Sequence, residues 1–228
     1  MSSSTKLALL EEFATVARAL GNPHRLRILE QLGQGECGVE GIAAKVELSV
    51  ANCSQHLQSL RRAGLVTARR DGKAMIYRLT DTDTIRLMES LHRVASNNLA
   101  EVQRLLAEVA EDGAAPRVMA RTDLEKRLAS GAVTLIDVRP LDEYAVAHLP
   151  GAQNVPLDQL DEFIANFGGD AGGGELVAYC RGPYCLYSHR AVAALRARGI
   201  PAVAMQGGLP DWMAEGRRVE QGSQTKSG

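Results

Sequence analysis

ELVAYCRGPYCLYSHRAVAALRARG, residues 175–199, holds two kinds of chain in succession. The apolar run ending at Tyr179-Cys180 is short and rich in β-formers, and reads as a buried strand. From Ser188 onward the apolar residues recur at helical spacing until Gly199, a helix stop. Between them lies a loop, Arg181-Gly182-Pro183-Tyr184-Cys185-Leu186-Tyr187-Ser188, opened by one cysteine and containing a second. The same grammar extends outward: VTLIDV (133–138), a helix near 157–166, PAVAMQGG (201–208) and LPDWMAEG (209–216). Short apolar runs alternating with helices predict an α/β domain, a mostly parallel sheet with helices on both faces.

Upstream of 111 the pattern is almost wholly helical. Leu7, Leu10, Phe13, Ala14, Ala17 and Leu20 keep helical spacing, Gly21-Asn22-Pro23 stops that helix, and Pro23 opens another. Short helices are expected at 39–46 and 50–63. LVTARRDGKAMIYRLT (65–80) then alternates about Asp71-Gly72, a type I′ hairpin signal. Several helices followed by a hairpin make a mainly α, winged helix-turn-helix order. Apolar positions from Ile85 to Val109 predict one long helix over 83–110. The expected domains are therefore 1–111 and 118–219, a linker at 112–117 (DGAAPR), and a disordered tail at 220–228.

With 228 residues, 45% hydrophobic and 23% charged, the composition is that of a soluble globular protein. No uncharged apolar run reaches the length of a membrane span, and the N-terminus, broken by Glu11 and Glu12, does not read as a signal peptide. A cytoplasmic protein without membrane partners is expected, and its four cysteines are then thiols by default. The net charge is −1, but residues 56–78 hold Arg61, Arg62, Arg69, Arg70, Lys73 and Arg78 against Asp71 alone. Such a basic cluster suits nucleic acid.

In SVANCSQHLQSLRRAGLV (49–66), Ser49 can cap the helix. Val50, Cys53, Leu57 and Leu60 share its buried face. Gln55, Gln58 and Arg62 lie opposite, flanked by Ser54 and Ser59. Amide and hydroxyl groups both donate and accept, as base-edge readout requires, while Arg61, Arg62, Arg69, Arg70 and Lys73 can neutralise phosphates. A polar helix face can equally be a merely solvated one.

The pattern Ser54, His56, Leu57, Leu60, Gly64, Leu65 and Val66, with ALGNPHRLRIL (19–29), resembles the ArsR/SmtB family of winged-helix repressors over 1–110. The resemblance implies double-stranded operator DNA as a partner, read through Ser54, Gln55, His56 and Gln58. It also implies a homodimer formed through the first and last helices, with recognition helices one DNA turn apart. Members often sense metals. Here Cys37 in GECGVEGI stands near a sensor position without a second cysteine beside it, Cys53 reads as a core residue, and Asp83 and His92 do not complete a zinc set. No metal and no cofactor are expected; Cys37 is the single candidate ligand.

The second half resembles the rhodanese (sulfurtransferase) domain over 117–217: Asp137, Arg139, Glu143, His148, Pro150, Gly151 and Ala152 in LIDVRPLDEYAVAHLPGAQNVP (135–156), then Tyr179-Cys180, then Gly207, Gly208 and Trp212. It implies Cys180 as the catalytic nucleophile. A loop between a parallel strand and a helix aims backbone N–H groups at its hollow, next to the positive end of the helix, and lowers a thiol pKa. The expected chemistry is attack on a sulfane sulfur of thiosulfate or polysulfide, giving a Cys180 persulfide that passes its outer sulfur to an acceptor thiol. The loop is longer than the family's usual one. A phosphatase-like C-x5-R reading fails because Leu186 stands six residues after Cys180. Cys185 could resolve a persulfide into a disulfide, or merely pack against its tyrosine neighbours.

Three readings are open at this point. The first is a repressor whose rhodanese domain senses reactive sulfur or thiol stress. The second is a sulfurtransferase tethered to a DNA-binding and dimerisation module. The third is an arsenite- or metal-responsive repressor with a silent rhodanese domain.

Overall fold

The computed structural model describes residues 3–109, 118–167, 174–182 and 185–222. It divides into two compact units, Met1–Thr84 and Ile85–Gly228. The linker expected at 112–117 lies outside the described residues, as do Pro183, Tyr184 and 223–228.

The first unit opens with helices α1 (Ser3–Leu20) and α2 (Pro23–Gly33). Asn22 caps α2 by accepting a hydrogen bond from Arg25 N, and Pro23 fills the first turn, where its missing N–H costs nothing. A two-residue strand, β1 (Cys37–Gly38), leads into α3 (Val39–Lys45) and α4 (Val50–Arg62). Ser49 Oγ accepts from Asn52 N and caps α4. Strands β2 (Val66–Asp71) and β3 (Ala74–Leu79) form the wing, and β1 pairs on its far edge in the order β1-β3-β2. Ile28, Leu29, Leu32, Ile42, Cys53, Leu57 and Leu60 are buried, so the helix faces expected from spacing do meet. Val50 departs from that expectation at 46% exposure. It is the first residue of α4, beyond the reach of the face that covers Cys53.

The wing turn also differs from the type I′ expectation. Asp71 pairs with Ala74, leaving a Gly72-Lys73 loop. Only Gly72 takes a positive φ, +59°, whereas type I′ needs two. A leading glycine followed by a residue of ordinary φ is the type II′ requirement.

The long helix expected over 83–110 is two: α5 (Asp83–Asn98) and α6 (Ala100–Val109). Two carbonyls near the break are taken by side chains. Val94 O accepts from Asn98 Nδ2, and Ser96 O accepts from Gln103 Nε2. Polar side chains that bond the backbone in this way compete with the helical ladder.

The remaining chain runs β4 (Val118–Met119), α7 (Arg121–Ala129), β5 (Val133–Asp137), α8 (Leu141–Val146), β6 (Gln153–Asn154), a 3-10 turn (Leu157–Gln159), α9 (Leu160–Asn166), β7 (Glu175–Tyr179), α10 (Leu186–Ala197), β8 (Ala202–Met205) and α11 (Leu209–Ala214). The five strands are parallel, in the order β4-β8-β7-β5-β6. Period-two alternation sorts their side chains into two cores. Ile136, Leu176, Ala178, Ala202 and Ala204 pack with α9 and α10. Leu135, Val177, Tyr179, Val203 and Met205 pack with Leu124 of α7 and with Leu209 and Trp212 of α11. This is the α/β architecture read from the alternation, with helices covering both faces. At the C-terminal end, Glu220 exchanges backbone hydrogen bonds with His148, and Gly222 N donates to Ala145 O. The chain at 220–222 is thus paired rather than free, because a short antiparallel bridge satisfies it.

Candidate functional site

Cys180 stands one residue beyond the C-terminal end of β7, the edge at which open parallel sheets build their sites. Its sulfur is bonded to that of Cys185, with the Cα atoms 6.2 Å apart, inside the span that a disulfide tolerates. Cys180 is fully buried among Ile136, Ala178 and Ala191, and Cys185 packs partly buried against the same core. A disulfide sulfur carries no charge. The lowered thiol pKa expected at this loop therefore concerns the reduced form only.

Three sets of contacts hold the loop. Arg181 donates from Nε and Nη2 to both oxygens of Glu143, at 2.9 and 2.7 Å, and its guanidinium lies 5.4 Å from the Tyr187 ring centre. Glu143 is 2% exposed and Arg181 29%, so the carboxylate is the buried member. Cys185 N donates to Gly182 O, and Ser188 Oγ donates to Cys185 O at 3.5 Å. On the other side, Leu209 N donates to Cys180 O at 3.2 Å. Gly208 lies so close that a Cβ there would stand 2.4 Å from Arg181 C and Gly182 N, which explains a glycine at this position. Leu186 is exposed, and Ser188 is buried in the first turn of α10.

The other motif residues brace the sheet. Asp137 and Arg139 form a fully buried ion pair at 2.6 Å, and Arg139 also donates to Ala147 O. The Tyr179 hydroxyl accepts from Leu149 N, and burial pushes its pKa well up. His148 stacks on Tyr144 at 3.8 Å.

Sequence reasoning missed a further cluster. Arg121 at the start of α7 donates to Glu215, to Gln206 O and to Glu89 of α5. Asp211 accepts from Gly208 N at 2.7 Å, and burial raises its carboxyl pKa to about 6 despite that bond and the nearby Arg121. No local spacing announces residues so far apart in the chain.

In the first unit, Gln55, Gln58, Arg61, Arg62, Arg70 and Lys73 are exposed, and Ser54 is half-buried. His56 tilts against His24 with ring centres 5.6 Å apart, and burial first, then His24, lowers its pKa. Arg69 is already matched by Glu36 at 2.5 Å and Asp71 at 2.9 Å. Arg70 Nε donates to Gly72 O at the wing tip. Cys53 is fully buried, and burial, followed by the charge of Cys37, pushes its thiol to about 11. Cys37 is half-buried on β1. Among the described residues no three His, Cys, Asp or Glu side chains gather as a metal set, and no helix is long and apolar enough to cross a membrane.

Comparison with known proteins fits this arrangement. The model of the bacterial regulatory protein family arsR matches residues 22–68, and that of the rhodanese-like domain matches residues 120–215. The HTH-type transcriptional regulator Rv0324 of Mycobacterium tuberculosis is 39% identical over 97% of this chain and 96% of its own. The chain belongs to the ArsR-family transcriptional regulators that carry a C-terminal rhodanese domain. The uncharacterized HTH-type transcriptional regulator Rv0081 of the same organism is 38% identical, over 43% of this chain and 87% of its own. A solved winged helix-turn-helix fragment of Mb0332 from Mycobacterium bovis, described as homodimeric and DNA-binding, is 40% identical. It covers 44% of the regulator and 94% of the fragment, with a TM-score of 0.41.

Proposed function

We propose that this regulator is a dimeric repressor that binds double-stranded operator DNA through α4 and the wing, and that its rhodanese domain senses reactive sulfur at Cys180. The observation that carries the reading is the Cys180–Cys185 pair at the C-terminal edge of a parallel strand. In the dithiol form, Cys180 thiolate attacks the outer sulfur of thiosulfate and expels sulfite, leaving a Cys180 persulfide; a polysulfide donor loses a shortened chain instead. Two exits follow. An acceptor thiol takes the outer sulfur and regenerates Cys180. Alternatively, Cys185 thiolate attacks the inner sulfur, hydrosulfide leaves with the outer one, and the disulfide closes. Two external thiols then restore the dithiol and are themselves oxidised to a disulfide. Exposed Gln55, Gln58, Arg61, Arg62, Arg70 and Lys73 support the DNA reading, since they offer base-edge and phosphate contacts on one helix and one hairpin.

Electrophoretic shift of operator DNA, with and without polysulfide, tests the reading. Release by polysulfide is expected from the natural chain, and Cys180→Ser is expected to stay bound. Mass spectrometry should map the added sulfur to Cys180 or Cys185. Identical release from the Cys180→Ser variant overturns the assignment.

A further inference from the structure

The geometry points to α11 as a strut that reports the state of the Cys180 loop to helix α5, with Arg86, Glu89 and Arg121 as its positioning residues. This rests on the sulfur-sensing reading above and adds the route by which the signal leaves the site.

Helix α11 is six residues long, about 9 Å from end to end. Its first residue donates from Leu209 N to Cys180 O. Its last, Ala214, accepts at its carbonyl from Arg86 Nη2 of α5, at 2.7 Å. One short rigid element thus touches the sulfur loop at one end and α5 at the other. Arg121 fastens the same segment from the side. It binds Gln206 O ahead of α11, the Glu215 carboxylate just behind it, and Glu89 of α5, at 3.1, 2.7 and 3.2 Å. With its side chain only 12% exposed, Arg121 is poorly placed to exchange these partners for water.

Little slack exists at the Cys180 end. Gly208 has its Cα against the backbone of Cys180, Arg181 and Gly182, and its N–H is held by Asp211 of α11. The Cys180–Cys185 bond ties this backbone to the start of α10, so any shift of Cys180 when the bond opens must be followed by α11 or break the bond from Leu209 N to Cys180 O. Helix α5 begins four residues after the last residue of the wing strand β3, where Asp81 Oδ1 accepts from Asp83 N and Thr84 N. In the chain, α5 is the direct continuation of the wing segment, an element that both sites can bias.

The test uses the full chain and its operator DNA. Dithiothreitol converts the disulfide to the dithiol, supplying two electrons and two protons and closing to its own cyclic disulfide. Operator affinity of the two forms is expected to differ at least about fivefold in the natural chain. In Arg86→Met combined with Glu89→Met, which removes both the donor to Ala214 O and the acceptor for Arg121, the ratio should fall to within about twofold of one, while thiosulfate turnover stays unchanged. Arg86→Lys keeps a donor for Ala214 O and should keep the ratio. Because coupling is reciprocal, saturating DNA should also shift the midpoint potential of the cysteine pair. The shift should be about 30 mV for each tenfold difference in affinity, and it should vanish in the double variant. A fivefold ratio that survives the double variant overturns the strut and leaves the sensor standing. A natural chain with equal affinity in both forms overturns the strut; the sensor falls with it only if polysulfide also fails to release the operator.

Discussion

Arg181→Met should destabilise the rhodanese domain far more than Glu143→Gln, although both break the same ion pair. The reason is asymmetric burial: Glu143 is 2% exposed and Arg181 29%. Arg181→Met takes the guanidinium from a carboxylate that water does not reach, and breaking a buried pair from that side costs about 3–5 kcal/mol. Glu143→Gln leaves an amide oxygen to accept from Arg181, and the guanidinium can turn toward solvent. The loss is then that of a charge-assisted hydrogen bond reduced to a neutral one, about 1–2 kcal/mol. At about 3 °C per kcal/mol for a unit of this size, the unfolding midpoint should fall by about 9–15 °C in the first variant and 3–6 °C in the second. Calorimetry on the full chain, following the transition of the second unit, reads both. The double variant Arg181→Met with Glu143→Leu should recover most of the loss, because two apolar side chains replace an ion pair at little cost. Equal losses in the two single variants, or a double variant no better than the worse single, would refute the argument from burial.

Asp211 gives a pH signature. Its folded pKa of about 6 lies above the unfolded value near 4, so the proton is held more tightly in the native state. Its stabilising contribution should be complete below pH 4 and lost as pH rises through 6, by up to about 3 kcal/mol. Arg121 and Glu89 both face it, so the effect should appear as the difference between the natural chain and Asp211→Asn in denaturant titrations at pH 4.5 and 7. A flat difference would count against burial as the cause. Gly208→Ala should cost more than about 3 kcal/mol, since its Cβ would meet the backbone of Arg181 and Gly182 at 2.4 Å; thermal unfolding checks it, and a neutral result would mean the loop yields. Iodoacetamide at pH 8 should label Cys37 and spare Cys53, whose thiol is fully buried with a pKa near 11; native labelling of Cys53 would show that α4 opens.

What proved legible in the sequence was whatever local chemistry decides. Ser49 and Asn22 cap their helices because a short polar side chain beside a helix start finds its backbone donor without help from the rest of the fold. The short apolar runs at 175–180 and 133–138 marked two buried strands for the same reason, and which residues face which core came only with the packing of the helices. Cys180 and Cys185, five residues apart on one loop, could be suspected of meeting. Helix α5 ends at Asn98, beside the carbonyls that Asn98 and Gln103 side chains bond, and apolar periodicity does not register such side-chain bonds to the backbone. The Arg121 cluster escaped altogether, since its partners Glu89 and Glu215 lie 32 and 94 residues away.

The basic cluster at 56–78 shows what this distance dependence does to a functional argument. Counted along the chain, six cations face Asp71 alone. Folding brings Glu36, 33 residues upstream of Arg69, onto that guanidinium at 2.5 Å, so one nominal phosphate contact is spent inside the protein. Lys73→Ala and Arg70→Ala should each lower the slope of log affinity against log salt by about 0.9. Arg69→Ala should change the slope little, because removing it also unmasks Glu36. A full unit lost on Arg69→Ala, measured by operator titration between 50 and 200 mM salt, would mean that DNA outcompetes Glu36. The wing would then bind through all of its arginines, as the bare sequence count implies.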